Sequence, residues 1–174
     1  MQKYTSKLSE TRERLINEIS MLGYKQLNQK PDKKSWSIAQ VCHHLVLTEN
    51  LFAEAIKYGL KKKEIRDFVP QKINSISDRT KKVEAPEMSN PSSEPFQLEE
   101  VMNLLRKSRE NLLAVLDTVE DVSILRKKNV KHPVFGKLPL IQWVELLYLH
   151  EQRHIEQIQD IKKMLKGVSP KENQ

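Results

Sequence analysis

The sequence predicts an all-α protein, a four-helix bundle, and three observations carry that prediction. The 174 residues hold only four glycines and 6% aromatic residues, against abundant Leu, Ile, Lys, Glu and Gln, a composition that favours helices. Four segments of roughly 22–27 residues place apolar residues at helical spacing. No segment alternates apolar and polar residues over enough length for a sheet. Helices with one oily stripe bury it against each other, so four of them make a bundle. Residues 1–166 are expected to form one domain, with 167–174 as a disordered tail.

Leu8, Leu15, Ile19, Leu22 and Leu27 define a first helix over 3–28, with Arg12, Glu13, Arg14 and Glu18 largely on its other side and Pro31 beyond its end. The second helix starts with Ser37 as N-cap and Gln40 completing a capping box, and Trp36 and Val41 are placed as a hydrophobic staple. Its stripe reads Ile38, Val41, Leu45, Thr48, Phe52, Ala55 and Gly59. Residues 64–96 then form a long connection containing PEMSNPSSEP (86–95), which cannot be regular helix. A connection of that length suits a crossover or a lid. A third helix over 97–118 carries Val101, Leu104/Leu105, Ser108, Leu112, Val115 and Leu116, with Glu99 and Glu100 in its first turn. Residues 119–138, including HPVFG (132–136), form a second connection. Pro139 fits the first position of a fourth helix that runs to about 165.

HEQRH (150–154) is the stretch richest in chemistry. The fourth helix's stripe reads Leu140, Trp143/Val144, Leu147, His150, His154, Ile158, Ile161 and Leu165, so both histidines lie on its buried side, one turn apart. Two imidazoles in one apolar interior are most simply explained by a shared metal ion. His44, beside Leu45 and two turns inside a well-capped helix, is the candidate third ligand. His43 points about 100° away from it. Three neutral nitrogen ligands suit Zn²⁺, Ni²⁺ or Fe²⁺ and leave a position open, so the reacting group is expected to be metal-bound water or a thiolate. Glu49 and Gln157 are candidates to orient the imidazoles.

Trp36, Ser37, His44 and Leu45, then Phe135, Gly136 and Leu138, then His150, His154, Gln157 and Ile158 together resemble the DinB/YfiT-like superfamily, nearly end to end and in order. The resemblance implies an up-down-down-up bundle, which the long 64–96 crossover permits, with one divalent metal on His44, His150 and His154. It also implies a small-molecule substrate, such as a low-molecular-weight thiol in an S-transferase, or a hydrolase activity, and frequent homodimers.

Two other readings compete. HEQRH also matches the H-E-x-x-H of zinc metalloproteases with Glu151 as base, but Glu156, Asp160 and Glu172 give no convincing downstream ligand. The bundle reading instead puts Glu151 on a neighbouring face, forming surface pairs. The other competitor is a non-enzymatic metal-binding or interaction bundle. Cys42 reads as a small buried apolar group, His132 as a solvated loop residue, and Trp143 and Tyr148 as core or interface residues.

Composition bounds the remainder. A lone cysteine excludes an internal disulfide framework, and no apolar run reaches the length of a membrane span, so a cytoplasmic protein is expected. The net charge of +7 is concentrated in 57–82, with nine Lys/Arg against three acids, and in 126–137, with five basic residues and no acid. These stretches match no nucleic-acid module and lack interleaved aromatics, so they read as solubilising loops and nucleic acid is not an expected partner.

Overall fold

A computed structural model describes residues 1–66, 68–80 and 86–167. These form α1 (Gln2–Ile19), α2 (Tyr24–Asn28), α3 (Ile38–Lys61), α4 (Leu98–Asp117), α5 (Ile124–Lys127), β1 (Asn129–His132), β2 (Gly136–Pro139) and α6 (Leu140–Gly167). The four long helices are α1, α3, α4 and α6. No helix among the described residues is long and apolar enough to cross a membrane. The tail expected to be disordered lies, from residue 168 on, outside them.

Side-chain pairing gives the helix directions. Thr11 meets Glu151, Arg14 meets Gln152 and Glu18 meets Gln159, so α1 and α6 run parallel. Leu8 pairs with Arg109 and Arg12 with Leu105, so α4 opposes α1. His44 sits against His150 and His154, and Phe52 against Trp143, so α3 opposes α6. The order is up, down, down, up, with the long crossover carrying the chain back between α3 and the parallel α4.

Three expectations are corrected. The first helix stops at Ile19, and the chain turns so that Gly23 can begin α2, where Gln26 Oε1 accepts from Gly23 N–H (3.2 Å). The turn leaves Met21 in solvent and buries Leu27 completely. Residues 129–139 form an antiparallel hairpin, Asn129 opposite Pro139 and His132 opposite Gly136. Strands of four residues are too short to show alternation, and Gly136 at φ 68° closes the turn in a region other residues avoid. Pro139 therefore ends β2 and does not begin a helix. α6 starts at Leu140, whose N–H donates to Lys128 C=O (2.9 Å).

The core falls into two apolar halves. Leu15, Ile19, Val41, Leu45, Leu105 and Ile158 belong to one, and Leu8, Ile56, Leu112, Leu138, Leu140 and Trp143 to the other. Between them lies a charged waist with one residue from each long helix. Arg12 reaches Glu49 (2.8 Å) and Glu151 (2.7 Å), and Arg109 reaches Glu49 (2.6 Å) and Glu151 (3.1 Å). Ser108 donates to Glu49 and Thr11 to Glu151 (both 2.5 Å). Burial is the largest influence on Glu49 and by itself raises its carboxyl. Arg12 and Arg109 outweigh it, and the net shift is below the ordinary 4.5.

Removing one corner leaves buried charge without a partner. Glu151→Leu is therefore expected to cost about 3–5 kcal/mol in urea unfolding. The contribution of Glu49 is fully present above pH 4.5, where the unfolded chain ionises, and is lost as pH falls through its lower folded value. Glu49→Gln should flatten that part of the stability–pH curve. Gly59 sets the approach of α3 to α6, since a Cβ there would stand 2.5 Å from Leu140 Cδ2 and 2.9 Å from Val130 Cγ2. Gly59→Ala gains about 1 kcal/mol of helix propensity but overpacks by about 1–3 kcal/mol. A lowered melting temperature is expected.

Candidate metal centre

Local chemistry fixes the start of α3 before tertiary packing acts on it. Ser37 Oγ accepts from Gln40 N–H and Gln40 Oε1 accepts from Ser37 N–H (both 3.2 Å), while Gln40 Nε2 donates to Ser92 C=O (3.0 Å). Trp36 packs on the cluster containing Val41, its ring 5.1 Å from that of His44. His44 thus projects from a rigid second turn, as the spacing of 150 and 154 makes His150 and His154 project from α6.

The three imidazoles meet. His150 Nε2 lies 3.3 Å from His44 Nε2 and 3.0 Å from His154 Nε2, and one nitrogen from each ring lies within 4.8 Å of the others. Nitrogens at about 2.0–2.1 Å from a tetrahedral ion stand about 3.3 Å apart, so the cluster has a ligand set's dimensions. His44 Nδ1 donates to Ser89 C=O (2.7 Å), and His154 Nδ1 to Gln157 Oε1 (2.7 Å). With those protons on Nδ1, the Nε2 lone pairs of both rings face His150. A single Nε2–H on His150 can serve one of them, whereas a cation serves all three. The donor set fits a divalent ion.

Burial keeps the rings neutral. It is the largest influence on His154, which falls to about 3 with His44 adding to the effect and Gln157 opposing it. His150 is driven well below 6.5 by burial first and then by His154 and His44, and His44 is lowered by burial against the pull of the Ser89 carbonyl. Neutral imidazole is the form that ligates.

The described parts of the 64–96 connection contact both α6 and α3 beside this cluster. Gln71 and Gln142 exchange two hydrogen bonds of 2.8 Å, Arg153 donates to Ile76 C=O (3.1 Å) and Asp78 C=O (2.6 Å), and Arg79 pairs with Asp160 (2.7 Å). A 3₁₀ turn at Glu87–Ser89 then presents the Ser89 carbonyl to His44. His43 turns away from His44, accepting from Ser92 N–H (3.0 Å) beside Phe96.

The other candidate residues are placed as follows. Gln157 touches an imidazole. Glu49 does not; its hydrogen bonds go to Arg12, Ser108 and Arg109, because two guanidinium groups compete better for a carboxylate than a neutral ring does. Glu151 is not a surface residue but is 3% exposed within the same waist, which takes it from the general-base role of a metalloprotease. Cys42 is buried and its thiol is pushed up to about 12, first by desolvation. Tyr148 packs on the second apolar half.

His132 also departs from the expectation, being buried and not a solvated loop residue. It is 7% exposed, its Nδ1 accepts from Val134 N–H (3.1 Å) and Phe135 N–H (3.4 Å), and burial lowers it to about 4. Its ring lies among Phe52, Phe135 and Trp143. The four-residue strand carries too little pattern to reveal this burial from sequence, and Gly136 beyond it was the one local sign of a turn.

Residues 7–158 match the family model of the DinB superfamily. The chain is 29% identical over 157 residues to the uncharacterized protein YuaE of Bacillus subtilis (strain 168), covering 90% of this chain and 96% of YuaE. Among solved structures, it is similar to the four-helix bundle protein TT2238 (TM-score 0.63, 18% identity, 91% of this chain and 98% of the other). It is also similar to YfiT from Bacillus subtilis, described as a probable metal-dependent hydrolase with an unusual four-helix bundle topology (TM-score 0.63, 20% identity, 95% and 87%). At these identities the structural likeness establishes the four-helix bundle.

Folded, metal-free protein keeps His154 neutral down to about pH 3 and His132 down to about 4, whereas the unfolded chain takes up those protons near 6.5. The unfolded state thus binds more protons below pH 6.5. Stability should be full above that value and fall as pH drops toward the folded values. Urea midpoints of the metal-free protein between pH 7 and 5 measure this, and His154→Leu should lessen the slope.

Proposed function

The chain belongs to the DinB superfamily, and on that premise we propose that His44, His150 and His154 hold one divalent cation and that the protein is a metal-dependent hydrolase of a small molecule. The observation carrying this is the convergence of three neutral Nε2 atoms, two with their Nδ1 protons committed elsewhere. The description of YfiT favours hydrolysis over other reactions of such a centre. A bound Zn²⁺, Ni²⁺ or Fe²⁺ supplies Lewis acidity that lowers the pKa of water and polarises a carbonyl.

The protein's own part is orientation and exclusion. Ser89 and Gln157 select the tautomer of His44 and His154, and the capped start of α3 holds the first of these rings rigid. Glu49 and Glu151, neutralised by two arginines, add no net charge to the centre, so the three neutral ligands leave the charge of the cation undiminished. The Ser89 carbonyl and the Trp36 ring pack against His44, which is 5% exposed, and keep bulk water from that ligand.

Untagged protein, stripped and reloaded, is expected to bind one ion per chain by atomic emission. His44→Ala, His150→Ala and His154→Ala should each abolish stoichiometric binding. Gln157→Leu should weaken affinity about 10–100-fold. A panel of small esters and amides should be cleaved only by loaded protein. If loaded protein leaves the panel intact but consumes a small thiol with an electrophile, S-transfer replaces hydrolysis. If no ion binds, a non-enzymatic bundle is the better reading.

A further inference from the structure

We infer that the seam between α3 and α6, from the three histidines to the hairpin, is a substrate subsite in which Thr48, one turn from the histidines, and His132 and Trp143, about 10 Å from the level of His150, donate hydrogen bonds to uncharged oxygen atoms of the substrate. The inference rests on the proposed metal-dependent hydrolase.

The placement follows from helix geometry. His44, Thr48 and Phe52 occupy successive turns of α3, and His150, Leu147 and Trp143 run the opposite way along α6. Phe52 and Trp143 close the far end, their rings 4.8 Å apart and tilted by 74°. His150 and Trp143 are seven residues apart, which at 1.5 Å per residue separates the two levels by about 10 Å. β1 delivers His132 to that level, its ring 4.9 Å from Trp143 and 5.7 Å from Phe52. Phe52, Phe135 and His150 are only half-buried, so the seam has a mouth.

Unmet hydrogen bonds point to a ligand. Thr48 Oγ1 and Trp143 Nε1 are buried and have no hydrogen-bond partner among the described residues. Roughly nine in ten buried polar groups do have one, so two unmet groups on facing helices of one seam require an explanation. His132 adds a third donor. Because its Nδ1 accepts two backbone N–H groups, its proton sits on Nε2. The ring stands edge-on to Phe52 at 87°, a contact much weaker than a bond to oxygen. Burial holds this imidazole uncharged at neutral pH.

The chemistry of the ligand follows from these groups. Neutral donors with no cation among them suit carbonyl or hydroxyl oxygens better than a carboxylate or phosphate, and the distal pair, His132 and Trp143, takes one such oxygen. The rings of Phe52 and Phe135 flank that oxygen with apolar surface. The substrate class is a small molecule with a hydrolysable acyl group at one end and an amide, ester or hydroxyl oxygen some six to seven carbons away, a span of about 10 Å.

The test uses two probes anchored on the metal, octanohydroxamate and the monoamide of suberohydroxamic acid, which differ in the distal amide. Calorimetry on zinc-loaded wild-type protein is expected to show about tenfold tighter binding of the amide probe. That ratio should fall toward one in His132→Phe and Trp143→Phe, and be largely retained in His132→Gln and Thr48→Val. Metal content should stay as in the wild type, and each variant should remain folded well above the temperature of the titration. Equal affinity of the two probes for the wild type, or a ratio unchanged by both His132→Phe and Trp143→Phe, overturns the subsite while leaving the metal centre standing. If neither probe binds loaded protein, the metal-dependent reading falls and the subsite with it.

Discussion

A closed ring of four buried charges, Arg12, Glu49, Arg109 and Glu151, is the constraint on which the rest of this structure depends. Each long helix contributes one member, and each arginine touches both glutamates. Apolar halves above and below could tolerate a helix displaced by one turn, because leucine against isoleucine is forgiving. The ring cannot, since a 5.4 Å slip would leave a buried ion alone. What it contributes is register more than net stability, and register is what a site assembled from two helices needs.

The metal centre depends on that register. Glu151 follows His150 directly on α6, and Glu49 follows His44 by five residues on α3, so the ring and the imidazoles lie within about one and a half turns of each other along the bundle, on different faces. Fixing Glu49 and Glu151 to the arginines therefore sets His44 opposite His150 and His154. The polar side chains at this level divide into two groups, one turned to α1 and α4 with balanced charge, the other turned to the crossover with neutral nitrogens. This division explains how one stretch, HEQRH, serves both: neighbouring residues on a helix point about 100° apart.

The crossover completes what the helices begin. Ser89 offers its carbonyl to His44 from outside the four long helices, and without it nothing described would hold the proton on Nδ1. The segment is long because it returns the chain to the start of a parallel neighbour, and its path lies across the histidine face. Topology and site are thus linked: the down-down pair that demands a crossover also supplies the group that orients a ligand.

The sequence by itself determined the long helices, the capped start of α3, and the fact that His150 and His154 lie on an inward stripe with His44 beside another. These are local properties, set by the 3.6-residue period and by Ser37 and Gln40. In retrospect the charged ring left a trace too. The steps from Leu8 to Leu15 and from Leu105 to Leu112 hold no apolar residue and include Arg12 and Arg109, while Glu49 and Glu151 directly follow the polar stripe positions Thr48 and His150. Their partnership was not legible, because the partners lie 37 to 139 residues apart. Only tertiary structure decided that Glu49 serves arginines and not an imidazole, that Ser89 reaches His44, and that His132 is buried. In each case the deciding contact is between segments distant in sequence, where neither period nor propensity carries information.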